Sequence, residues 1–198
     1  MVMNKQAAAL PAPGTRMRAL DFLALPESSV RIELIDGEVV YPFGTGANEP
    51  VSPAPEIIHQ ITAGKLYGLV TRMMPDGLVL FAPVDFHVND GTVLQPDVFW
   101  LAADTTCVLV EGKYYLGVPD LAIEILSPGT ARYDKREKFR LYQQYGTREY
   151  WLVDPIYQLI EVYVREGDAF RLMGVYGAED SFDSPLLGGR RVMVSEIF

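Results

Sequence analysis

The chain's 198 residues suffice for one domain with a hydrophobic core, and 49% hydrophobic with 22% charged residues is ordinary for a soluble globular protein. No apolar run approaches the roughly 18 residues a membrane span needs, and a single cysteine, Cys107, excludes both an intrachain disulfide and a cysteine-based zinc site. The net charge of −9 works against polyanions in general, so any nucleic-acid partner requires a local basic patch.

Residues 1–16 (MVMNKQAAALPAPGTR) read as a flexible tail, with 17–198 forming a single domain. Ala7 to Leu10 is too short for the apolar region of a signal peptide, which with the cysteine usage points to the cytoplasm. Thr15 to Leu25 carries Met17, Leu20, Leu23 and Leu25 near helical spacing before Pro26, and predicts a short helix. Arg31 to Tyr41 alternates around Asp36-Gly37, a pair that favours a hairpin turn. After a loop at 44–55, Pro55 and Glu56 suit a helix start. The stripe Ala63, Leu66, Val70 and Met73 carries that helix to about Met74, where Pro75-Asp76-Gly77 stops it.

Leu78 to Val88 and Thr92 to Leu101 predict two strands joined at Asn89-Asp90-Gly91. The following stretch carries no clear pattern. Leu121 to Leu126 then reads as a buried strand, and a helix is expected over about Asp134 to Tyr145. Asp134 with Glu137 has the form of a capping box, and Gly146 fits the stop. Strands are expected at 149–153, 158–164 and 170–176. This order gives an α/β (α+β) domain with a mixed central sheet.

Three features can carry chemistry: Gln95-Pro96-Asp97, Glu124 within LAIEIL, and the basic run from Arg132 to Arg140. On a strand, Leu121, Ile123 and Ile125 share one face while Ala122, Glu124 and Leu126 share the other. A carboxylate among such neighbours needs a cation, a donor or water to offset its desolvation, and the bland alternative for Glu124 is a satisfied ion pair or a strand end that reaches solvent. For Asp97 the bland alternative is an edge strand facing water, marked by Pro96. If neighbouring strand ends bring the two carboxylates together, they suit Mg²⁺, a hard cation that keeps much of its hydration.

In the basic run, Lys135, Lys138 and Tyr142 fall on one helical face. Lys135, Arg136 and Arg140 read as a solvated face. Lys138, beside Phe139 and near Tyr142, is the one whose stem can lie against the core and aim its ammonium inward. His59 lies on the stripe of the long helix, where a histidine is more often a satisfied core residue than a ligand. Glu33, alternating with Ile32 and Leu34, is expected to face solvent. His87 and Cys107 have no chemical neighbours in sequence.

The segments IELIDGEVV (32–40), SPAPEIIH (52–59), QPDVFWL (95–101), AIEILSPGT (122–130), DKREKFRLYQQYG (134–146) and EYWLVDP (149–155) together resemble the Uma-type family of restriction-endonuclease-like proteins, in the PD-(D/E)XK nuclease superfamily. The resemblance implies a restriction-endonuclease-like mixed sheet flanked by helices, with Asp97 and Glu124 binding Mg²⁺ or Mn²⁺ and the backbone carbonyl of Ile125 as a further ligand. The superfamily pattern expects a lysine two residues after the glutamate, where this chain has Leu126. Lys138 matches the lysine of the family's own motif, and His59 and Glu33 match recurring positions as supporting groups. The implied reaction is metal-assisted hydrolysis of DNA phosphodiester bonds, with a homodimer suited to cutting a duplex. Two alternatives stay open: a catalytically inactive nuclease-like binding or assembly module, favoured by the acidic balance, and a hydrolase of a small nucleotide substrate.

Overall fold

Asp36 and Gly37 both adopt positive φ (48° and 82°), the backbone that a tight two-residue hairpin turn requires. They join β1 (Glu33–Ile35) to β2 (Glu38–Val40) as an antiparallel pair. The computed structural model describes residues 10–28, 30–42, 57–74, 76–127 and 133–198. The loop expected at 44–55 and residues 1–9 of the expected tail lie outside them. Gly14 to Arg16 run alongside β2: Gly14 N donates to Val39 O (2.8 Å), and Arg16 bridges to Glu38.

The first helix, α1 (Ala19–Leu23), is shorter than the expected 15–25. Its predicted first turn is extended instead, because the N–H groups of Met17 and Ala19 are drawn to Gly37 O and Asp90 O. Tertiary hydrogen bonds here override a weak helical stripe. The long helix α2 (Ile57–Met73) is as expected over the described residues, its expected start at Pro55 and Glu56 lying outside them, and it buries Leu66, Leu69 and Val70.

The expected hairpin over 78–101 divides into four strands: β3 (Leu78–Phe81), β4 (Asp85–Asn89), β5 (Thr92–Leu94) and β6 (Val98–Leu101). Both arms break, one at Pro83 and the other at Pro96, and each break removes a donor from the ladder. Ala82 N donates to Asp97 O across the gap. The tip (β4, β5) and the base (β3, β6) therefore enter different sheets.

The stretch without pattern forms a further hairpin, β7 (Val108–Val110) and β8 (Tyr114–Leu116). Then come β9 (Leu121–Ile125), β10 (Glu149–Asp154), β11 (Leu159–Glu166) and β12 (Ala169–Gly177). A last hairpin, β13 (Ser181–Ser184) and β14 (Arg190–Met193), precedes a single 3₁₀ turn at Val194–Glu196. The first six-stranded sheet has the order β2-β1-β5-β4-β8-β7, and the second has β12-β11-β10-β9-β6-β3.

β9 lies inside the second sheet, parallel to β10 and antiparallel to β6. Its alternation is as the sequence predicts. Leu121, Ile123 and Ile125 pack with Leu66, Leu69 and Val70 of α2. Ala122 and Leu126 pack on the other face with Leu141, Tyr142 and Tyr150. Within the described residues the helix between β9 and β10 is already helical at Tyr133, passes through π-helical turns (Asp134–Lys138) and continues as α3 (Phe139–Tyr145). Asp134 does not start the helix as the expected capping box requires: Tyr133 before it is already helical, and Asp134 is buried within the helix. Gly146, left-handed at φ 103°, ends α3 as predicted, with its N–H on Tyr142 O.

The class is thus the expected α+β: a mixed sheet covered on both faces by helices, with the other sheet built from the tip of the broken hairpin and the hairpins β1-β2 and β7-β8. No helix among the described residues is long and apolar enough to cross a membrane.

Candidate active site

Asp97 follows the Pro96 break and immediately precedes β6. The register pairs Val98 with Ile123, so continuing it by one residue sets Asp97 opposite Glu124. The two carboxylates that the sequence singled out therefore meet at adjacent positions of paired strands. Both are buried, Asp97 at 5% and Glu124 at 1% relative exposure. The edge-strand alternative for Asp97 does not hold, because β6 lies between β9 and β3.

Asp97 Oδ2 accepts the backbone N–H of Ile125 (2.7 Å) and lies 3.3 Å from His59 Nε2. His59 is therefore a buttress of Asp97 as well as a buried helix residue. Glu124 Oε1 accepts the Tyr142 hydroxyl (2.9 Å) and the Lys138 ammonium (3.0 Å).

Lys138 is as buried as Glu124, and its Nζ also lies 2.9 Å from Glu33 Oε1 and 3.7 Å from Asp134 Oδ1. The π-helical turns separate it from Lys135, which points outward to Glu161 (2.7 Å), so of the predicted shared face only Lys138 and Tyr142 stay together, both on Glu124 Oε1. A wider turn shifts the register of side chains around the axis, and such turns recur at functional sites.

Glu33 corrects an expectation. It is fully buried rather than solvent-facing, because β1 is an internal strand of the first sheet whose Glu33 side chain points toward the second. Its carboxylate takes the N–H of Gln95 (3.1 Å), the Tyr133 hydroxyl (3.2 Å), Lys138 and Arg31 (3.1 Å).

Arg31 was not among the residues that the sequence singled out. Its Nη1 lies 2.5 Å from Asp97 Oδ1, and its Nη2 lies 3.9 Å from Glu124 Oε2 and also donates to Gln95 O. The available signal was Arg31-x-Glu33, a cation and a carboxylate two residues apart, hence on one face of an extended chain.

Arg31, Pro42, Asp97, Glu124, Ile125, Asp134 and Lys138 line a narrow recess at these groups. Asp97, Glu124 and Asp134 line it with two cations, Arg31 and Lys138, and Glu33 pairs with both cations from outside the lining. Burial alone would raise the Asp97 carboxyl, but Arg31, His59 and Lys138 outweigh it and hold Asp97 well below the ordinary carboxylate range. Glu124 moves the other way: burial pushes it well up, Lys138 offsets this only in part, and Asp97 and Asp134 push it further. Lys138, although buried, is held above its ordinary value by Glu124 and Glu33.

Among the described residues the four carboxylates outnumber the cations Arg31 and Lys138, an imbalance that a divalent cation fits. The donors are hard oxygens, and the hydrogen bonds to Glu124 fall on Oε1, away from Oε2. Among the described residues no group of three or more His, Cys, Asp or Glu is arranged to hold a metal ion. Mg²⁺ does not require one, since it commonly binds through one or two carboxylates and keeps several waters.

The remaining chemistry-bearing residues lie apart. Cys107 donates to Val118 O, and burial pushes its thiol up to about 11, an unreactive setting. His87 sits near the Tyr114 ring on β4. Of the basic run, Lys135 pairs with Glu161 and Arg140 with Asp36, while Arg132 lies outside the described residues.

Comparison with known proteins bears on the family and the fold. The chain is 27% identical over 162 residues to "Uncharacterized protein slr1290" of Synechocystis sp., covering 79% of this chain and 77% of that protein. Its fold matches a crystal structure described as "a putative nuclease belonging to DUF820" from Anabaena variabilis, with a TM-score of 0.72 and 18% identity over 92% of this chain and 97% of that one. The profile of the Uma2 family, described as "Putative restriction endonuclease", matches residues 19–195. Since that match takes in both sheets and every residue of the carboxylate cluster, the chain belongs to the Uma2 family.

Proposed function

We propose that the protein is a divalent-metal-dependent endonuclease that hydrolyses DNA phosphodiester bonds. The observation that carries this reading is the convergence of Asp97, Glu124 and Lys138 in one recess, where buried carboxylates outnumber cations among the described residues. Asp97, Glu124 and the Ile125 carbonyl would hold Mg²⁺ or Mn²⁺. The ion, when bound, lowers the pKa of a water and neutralises charge on the phosphate.

The chain's own groups prepare that chemistry. The Ile125 N–H and His59 fix the orientation of Asp97. Tyr142 and Lys138 fix Glu124 through the same oxygen, Oε1. Glu33 keeps Lys138 charged and holds its ammonium at the recess, where it can orient a nucleophilic water or stabilise negative charge developing on the phosphoryl oxygens.

A second reading, a hydrolase of a small nucleotide substrate, draws on the charge distribution. Nonspecific DNA affinity rests on Lys and Arg neutralising phosphates. Here Lys135 and Arg140 are engaged with Glu161 and Asp36, and Lys138 is buried.

Purified protein with Mg²⁺ or Mn²⁺ is expected to nick supercoiled plasmid, with loss of nicking in Asp97→Asn and Glu124→Gln and none in the surface control Lys113→Ala. Nicking that persists in both site variants overturns the assignment. Turnover of nucleotides without plasmid nicking selects the second reading.

A further inference from the structure

We propose that Arg31 is an internal competitor of the divalent cation, its guanidinium holding the same carboxylate oxygens that the ion would bond. The inference rests on the metal-site reading above and concerns how that site is filled.

The guanidinium approaches one oxygen of each carboxylate: Asp97 Oδ1, 2.5 Å from Nη1, and Glu124 Oε2, 3.9 Å from Nη2. They belong to facing positions on neighbouring strands. Mg²⁺ bonds oxygen at about 2.0–2.1 Å, so an ion joining these carboxylates would lie in the space that the guanidinium spans. Two cations at such separations also repel strongly in a buried setting. The guanidinium and the ion therefore exclude one another.

Arg31 is built to yield rather than to leave. Nη2 is also 3.1 Å from Glu33 Oε1 and donates to Gln95 O. These acceptors remain available if the Nη1 end turns away from Asp97. Arginine, always charged and presenting a rigid fork of donors, can hold this second position without changing protonation state. Lys138 cannot substitute as the competitor, because its ammonium approaches Glu124 from the Oε1 side. Arg31 would thus set a threshold for cation binding.

Mn²⁺ binding to the full chain, measured by calorimetry and by electron paramagnetic resonance at pH 8, tests this. Arg31→Met is expected to bind Mn²⁺ about tenfold more tightly or better, the equivalent of one charge-assisted hydrogen bond no longer opposing the ion. Arg31→Lys, which keeps a cation with less reach, is expected to fall between. In thermal melting, the rise in Tm on adding Mg²⁺ should be larger for Arg31→Met than for the wild type.

Equal or weaker Mn²⁺ affinity in Arg31→Met, with wild-type binding intact, overturns the competition while leaving the metal site standing. Binding by neither protein overturns the metal site and the competition with it. Should Arg31→Met not melt cooperatively, the native protein carries the test. The Arg31 side-chain Nε–H resonance is expected to shift during a Mg²⁺ titration with the midpoint of metal binding, and a resonance unmoved at saturation overturns the proposal.

Discussion

Lys138 Nζ lies 2.9 Å from Glu33 Oε1, an ion pair that joins the helix after β9 to a strand of the other sheet. Both side chains are essentially without solvent exposure. Removing one partner of such a pair leaves an uncompensated buried charge, which costs more than the pair contributes. Glu33→Ala is expected to destabilise the protein by about 3–5 kcal/mol, read from urea denaturation midpoints. A loss within the range of ordinary surface substitutions would show that Glu124 alone compensates Lys138.

Asp97 carries a pH signature. Its folded carboxyl lies well below the ordinary aspartate range, with burial opposing and Arg31, His59 and Lys138 prevailing. A carboxyl lowered by folding contributes stability that is complete above its unfolded value, roughly 3.9, and lost as pH falls below it. Wild-type stability should therefore decline over this acid window more steeply than that of Asp97→Asn. Glu124, raised by burial, has the opposite sign: its contribution grows as pH falls from its raised value toward the ordinary one. Denaturation curves at stepped pH check this, and parallel profiles for wild type and Asp97→Asn below pH of about 4 would remove the proposed role of Arg31 and His59 in holding that carboxylate.

The lysine that the superfamily pattern places two residues after the glutamate is Leu126 here, and its side chain packs with Leu141 and Tyr142 on the Glu124 face. Lys138 reaches Glu124 from the following helix instead. Lys138→Met is expected to reduce nicking by about 10²–10³, the usual effect of deleting one transition-state donor. Adding Leu126→Lys should restore part of the rate while lowering Tm, since the new ammonium enters an apolar cluster. A double variant as inactive as Lys138→Met would mean that the two positions do not address the same atom.

Glu149 anchors the C-terminal hairpin rather than the site. It accepts from Ser184 Oγ (2.7 Å), Trp151 Nε1 (2.7 Å) and Leu186 N (3.2 Å), tying β13 and its following turn to β10. Glu149→Ala should cost on the order of 3 kcal/mol, because several buried donors lose their acceptor together. Nicking measured well below the lowered Tm should remain near wild type. A lost rate in a folded Glu149→Ala protein would contradict this separation of roles.

Local signals in the sequence specified much of this molecule. Asp36-Gly37 and Gly146 require backbone conformations that few residues adopt, so their turn and helix stop follow from residue type. The alternation of LAIEIL assigned Glu124 to the face opposite Ile123, because a strand has a period of two whatever surrounds it. The expected pairing of Asp97 with Glu124 needed only that two neighbouring strands meet in one register.

What the tertiary structure decided was which charges meet. Glu33 reads as a surface residue on its own strand, and it is buried because Lys138, Arg31 and Tyr133 arrive from elsewhere to compensate it. Arg31 has no apolar stripe or turn to mark it, and its importance arises from contact with Asp97, 66 residues away in sequence. The split of one predicted hairpin between two sheets, and the π-helical turns that aim Lys138 inward, likewise depend on partners outside the local window. Periodicity records which face a side chain takes, whereas the electrostatic balance of a buried site is a sum over distant segments that only folding brings together.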